Sequence, residues 1–71
     1  MTTMSAKKAP LPGWLHEGAT ALDPDGKTGV VQFLGHMTVG AEPILHAWLR
    51  PSGGGTEWVV EARALKKAEP Q

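Results

Sequence analysis

The chain contains no cysteine and no tyrosine, only one phenylalanine, and no long uninterrupted apolar run. Lack of cysteine excludes disulfides, thiolate nucleophiles and the cysteine-bearing zinc sites that staple many small domains, so packing alone has to hold the fold. Lack of a span-length apolar run excludes a predicted transmembrane helix. The opening MTTMSAKKAPLPGWL carries two lysines but continues into Pro10, Pro12 and Gly13 instead of the apolar stretch of a signal peptide. The expectation is a soluble, cytoplasmic protein.

Charge of one sign is scarce within the body. Between residues 13 and 65 the acids are Glu17, Asp23, Asp25, Glu42, Glu57 and Glu61, whereas the bases are Lys27, Arg50 and Arg63, a net of −3. Lys7, Lys8, Lys66 and Lys67 sit outside that interval, with Glu69 opposing them. Polyanion binding by the body is therefore disfavoured. At 71 residues the chain makes one domain, and a chain of this size buries only about 60% of the surface its unfolded form exposes.

Residues 1–12 are small, polar and proline-punctuated, which marks a flexible leader; the body is assigned to 13–68 and a tail to 69–71. Inside the body short strand signals alternate with turns: ATALD, DPDGK, TGVVQFLG, a loop, ILHAWLR, PSGGG and TEWVV. EARAL, residues 61 to 65, is one turn of 3₁₀ helix, and KKA forms a last strand. No internal repeat is present.

Pairing chemistry sets the register of the hairpin at PSGGG. Arg50 opposite Glu57 places Trp48 opposite Val59 and His46 opposite Glu61 on one face, and leaves Leu45, Ala47, Leu49, Trp58 and Val60 on the other. A slip by one residue would set Leu49 against Glu57 on the core face. Trp58 is thus expected in the core and Trp48 on the surface. In TGVVQFLG the same alternation turns Val31 and Phe33 inward and Val30 and Leu34 outward, because the other parity buries Gln32.

The run Gly26-Lys27-Thr28 ends like a phosphate-binding P-loop, but Ala21 stands where the first glycine is required, Pro24 interrupts, and a strand-like segment follows instead of a helix. A calcium loop fails as well, with Lys27 at the third ligand position and Leu34 at the bidentate one. Asp-Pro-Asp-Gly reads as a turn. His16, His36 and His46 lack the close spacing of a metal site, and neither Ser5 nor Ser52 has a histidine or carboxylate near it in sequence. No catalytic residue, metal or cofactor is assigned.

GKTGVVQFLG resembles the glycine-centred turn and strand of KOW and Tudor-type barrels, with Gly29 at the glycine position and Val31 as the core residue after it, and EWVVEARALKKA resembles their strand, 3₁₀ turn and closing strand. The resemblance covers residues 17 to 68 and implies an all-β, SH3-like small barrel of about five short strands with one 3₁₀ turn before the last. It also implies RNA, ribosomal or peptide partners. The scarcity of aromatics departs from a multi-aromatic cage, and the acidic body departs from a basic RNA-binding face. The chain also looks like small actinobacterial proteins ending in a GGG-x-EW hairpin. The functional expectation is a non-enzymatic interaction module that binds a protein partner or itself through Val30, Leu34, His46, Trp48, Arg50 and Val59. The alternative is a nucleic-acid-associated accessory domain that uses the basic flanks.

Overall fold

A computed structural model describes residues 11–68. The leader, apart from Leu11 and Pro12, and the tail lie outside the described residues, as do Lys7 and Lys8. Five strands appear in chain order: β1 Thr20–Leu22, β2 Thr28–Val39, β3 Glu42–Arg50, β4 Trp58–Glu61 and β5 Lys66–Lys67, with a 3₁₀ turn at Ala62–Ala64. All pairings are antiparallel, in one sheet of order β4-β3-β2-β1-β5. This is the all-β class expected, with the 3₁₀ turn in its expected place before the last strand. Lys66 and Lys67 belong to the sheet itself, paired with Leu22 and Ala21.

Turn chemistry explains where the strands end. Asp23 closes the β1–β2 connection: its Oδ1 accepts the N–H of Asp25 at 2.9 Å and of Lys27 at 2.8 Å, and Gly26 supplies a φ of 87°. The β3–β4 connection uses Gly54 and Gly55, both at positive φ, with the Gly54 N–H donating to the Pro51 carbonyl at 2.9 Å.

The predicted β3–β4 register is the observed one, with His46 opposite Glu61, Ala47 opposite Val60, Trp48 opposite Val59 and Leu49 opposite Trp58. The Arg50 and Glu57 side chains approach to 3.9 Å, half exposed. The core is one cluster of Leu15, Ala21, Val31, Ala47, Leu49, Ala62 and Leu65, against which Trp14, Leu34, Leu45, Trp58 and Val60 pack. Its small average side chain follows from the short chain, which has little interior to fill.

Two expectations change. The segment read as a loop between residues 35 and 44 is instead a continuation of both strands: β2 runs to Val39, β3 starts at Glu42, and a two-residue connection joins them. Gly40, at a φ of 64°, takes the first central position, where a tight hairpin turn of the right twist needs positive φ. The second change is a β-bulge. Val31 pairs with Leu49 and Phe33 with Trp48, so Gln32 is the extra residue, and its amide donates to the Val30 carbonyl at 3.1 Å. An extra residue inverts the alternation after it. Phe33 therefore points outward, 53% exposed, and Leu34 turns in against the core.

Candidate interaction face

The Gly26-Lys27-Thr28 segment is committed to structure. The backbone N–H groups of Asp25 and Lys27 are held by the Asp23 carboxylate, and that of Gly26 by the Asp23 carbonyl at 3.0 Å, so none of the three is turned toward an anion. Asp23 Oδ2 accepts the Trp58 indole N–H at 3.1 Å, and Lys27 Nζ lies 4.1 Å from the centre of the same ring. Lys27 thus serves as a cation over an aromatic face.

The Lys27 N–H above all, then the Asp25 N–H, the indole N–H and the Lys27 charge hold the Asp23 carboxyl below its ordinary range, against an opposing contribution from burial. A depressed folded-state pKa contributes stability above the unfolded value of 3.8, and that stability is lost as pH falls through the folded value. The thermal midpoint of the wild-type protein should therefore drop, as pH falls below the unfolded value of 3.8, more steeply than that of Asp23→Asn. The variant keeps an acceptor for the turn but has no charge to lose. Parallel slopes for the two proteins would remove Asp23 as the acid-sensitive group.

The opposite surface of the sheet is apolar. By register Val30, Phe33, Gly35, Met37 and Val39 of β2 stand across from Arg50, Trp48, His46, Ile44 and Glu42 of β3, and Val59 of β4 lies beside Trp48. Of the large hydrophobics exposed among the described residues, Phe33, Met37, Val39 and Val59 all lie on this face, and only Leu11 lies elsewhere. The Phe33 and Trp48 rings meet at 5.3 Å between centroids, tilted by 57°, a favourable edge-on arrangement. The Phe33 ring also lies over Gly35, where a Cβ would stand 2.7 Å from it. The glycine makes room for the ring, and the ring covers backbone that the glycine leaves bare.

Half of this face stands on an arm. β1 pairs with β2 only at Thr28–Val30, and β4 pairs with β3 only at His46–Leu49, so residues 36 to 45 form a two-stranded ribbon projecting past both neighbours. The described residues extend 45 × 24 × 19 Å. Pro43 is tolerated in β3 because, among the described residues, no strand lies beyond it there.

Of the six residues assigned from the sequence, Val30, Trp48, Arg50 and Val59 lie together on this face. Leu34 does not: the bulge at Gln32 moves it to the core side and puts Phe33 in its place. His46 has the expected register and side, but it is only 8% exposed, so it is not a contact residue. Its Nδ1–H donates to the Ile44 carbonyl at 2.8 Å, and its ring sits 6.5 Å from that of Trp48. Glu61, its expected partner, instead accepts from Arg63 Nε at 2.7 Å. Phe33, Met37, Val39 and Ile44 were not assigned from the sequence. The alternation H-M-T-V, then P-I-L-H, around Gly40-Ala41 is the signal that points to Met37, Val39 and Ile44, whereas Phe33 faces outward only because of the bulge at Gln32. Among the described residues no three His, Asp or Glu side chains gather as metal ligands. No family model, curated protein or solved structure matches this chain.

Proposed function

We propose that this protein is a non-enzymatic interaction module that docks a polypeptide partner on the outer face of β2, β3 and β4. The observation that carries the reading is the gathering of Phe33, Met37, Val39 and Val59, all exposed, beside Trp48 on one side of a small sheet. A small protein gains nothing in its own stability from such a surface, and contiguous exposed apolar area of this kind marks docking sites. Trp48 and Arg50, two residues apart on this face of β3, are of the residue types most enriched in binding hot spots. The likeness to KOW and Tudor-type barrels stays part of this proposal. A Cβ at Gly29 would stand 2.6 Å from Trp58 Cη2, so packing by itself requires glycine there, and that position adds no independent support for kinship.

The test is a peptide-display selection against the folded protein, with chemical-shift mapping of the selected peptides. Shifts should concentrate at Phe33, Met37, Trp48 and Val59, depend weakly on salt, and weaken at least about tenfold in Trp48→Ala. Titration with single-stranded and duplex oligonucleotides is the opposing arm. Binding that falls steeply with salt and disappears when Lys7, Lys8, Lys66 and Lys67 become glutamine would instead establish the nucleic-acid-associated alternative.

A further inference from the structure

The outer face of β3 has a self-complementary order of chemistry. From the arm tip to the other end of the strand it runs Glu42, Ile44, His46, Trp48, Arg50: acid, apolar, histidine, apolar, base. β2 follows it in register as Val39, Met37, Gly35, Phe33 and Val30. The centre of both sequences is the Gly35–His46 pair. A second copy, turned about a two-fold axis that lies between the two faces and crosses the strands at this pair, would bring Glu42 onto Arg50, Ile44 onto Trp48, and Met37 onto Phe33, each twice.

We infer that the docking surface proposed above is closed by a second copy of this chain, stacked face to face with its β3 antiparallel about Gly35–His46. The inference rests on the reading of that face as a docking surface and names its occupant. Charge complementarity selects the orientation: antiparallel stacking pairs acid with base at both ends, whereas parallel stacking sets Glu42 on Glu42 and Arg50 on Arg50. Arg50 is available for this, since its approach to Glu57 is loose and half exposed. Shape agrees with charge. The bulky rings of Phe33 and Trp48 would receive the flexible Met37 thioether and the Ile44 side chain of the other copy, and sulfur against an aromatic ring is a favourable contact.

The arm gives a second reason. A two-stranded ribbon is marginal alone, and sheets are stabilised by a second packed layer. On this face Met37, Val39 and Ile44 have no such layer among the described residues, and in the stacked pair each arm covers the Phe33–Trp48 end of its partner. Edge-to-edge pairing is the competing route, and Pro43 blunts the free edge of β3 by removing a donor. β2 and β3 lie over their counterparts for the nine residues of β3, at about 3.3 Å each with strands about 4.8 Å apart. The four-residue β4 has no counterpart opposite it, so the buried total is on the order of 600 Å². That is the size of a weak, transient contact, so dimerisation belongs at high protein concentration.

Sedimentation velocity of the full chain over a dilution series tests this with a charge exchange. Wild type should pass from monomer to dimer. Glu42→Arg and Arg50→Glu, each alone, should weaken the dimer about tenfold or more, because each faces a like charge twice. An equimolar mixture of the two variants should regain wild-type strength, since Arg at 42 then meets Glu at 50 and the native pair survives at the other end. Glu42 is exposed at the arm tip, so Glu42→Arg should leave the circular dichroism unchanged and carries the test even if Arg50→Glu, placed beside Glu57, does not fold. A wild-type monomer at every concentration, a dimer indifferent to these charges, or a dimer lost on deletion of residues 1–10 would overturn the inference. If the protein is monomeric and selected peptides still shift Phe33 and Trp48, the docking surface stands and only its occupant is wrong. If neither occurs, both readings fall.

Discussion

Trp58→Ala should lower the unfolding free energy by ~3–5 kcal/mol, most or all of what a domain of this size has. Trp58 is, with Trp14, one of the two tryptophans packed against the core cluster, and it stands opposite Leu49 on the inward face of β4. Its indole N–H is bonded to Asp23, and its ring is capped by Lys27, so truncation removes core volume and loosens the β1–β2 turn together. The mini-core offers few neighbours able to relax into the space. Trp48→Ala, on the outer face, should cost much less, about 1 kcal/mol, because its ring is covered mainly by Phe33. Urea titrations followed by far-ultraviolet circular dichroism compare the two. If Trp48→Ala proved the more damaging, the two faces of the sheet would have been assigned the wrong way round.

Gly29→Ala should destabilise by about 1–3 kcal/mol although it adds a single methyl group. A Cβ at this position would stand 2.6 Å from Trp58 Cη2 and 3.2 Å from both the Arg50 carbonyl and Leu49 Cβ. The backbone contact cannot yield, so the indole has to move, and moving it strains the hydrogen bond to Asp23. The cost should depend on the ring being there. In a Trp58→Phe background, which removes the outer edge of the indole, the added methyl should cost under about 1 kcal/mol, and the difference is a coupling energy of the kind contacting residues show. Equal costs in both backgrounds would mean that the tight contact with Trp58 is not what requires glycine at 29.

These two variants concern a contact that no local rule announces. Gly29 is legible as a glycine in a strand, and Trp58 as an inward tryptophan by parity. That the first exists to admit the second depends on β2, β3 and β4 lying side by side. The face assignments divide the same way. The β3–β4 register was readable because Arg50 and Glu57 offer a favourable pair and a one-residue slip would bury charge. β2 was not, because its alternation breaks at Gln32, and no residue there signals a bulge as strongly as a glycine would. One extra residue then exchanged Phe33 for Leu34 on the outer face.

Local chemistry by itself determined the class of the fold, the turn at Asp23, the turn glycines, the 3₁₀ piece before the last strand, and the exclusion of thiol and disulfide chemistry. Each follows from backbone preferences or from the presence of a functional group, which act over a few residues. Only the tertiary structure decided that residues 36 to 45 form an arm, that His46 is buried under its neighbours, and that Phe33, Met37 and Val39 join Trp48 and Val59 in one surface. Those properties depend on where β1 and β4 stop pairing and on the total count of residues along β2. Exposure is set by what other strands cover, and that is a sum over the whole sheet which no short segment contains.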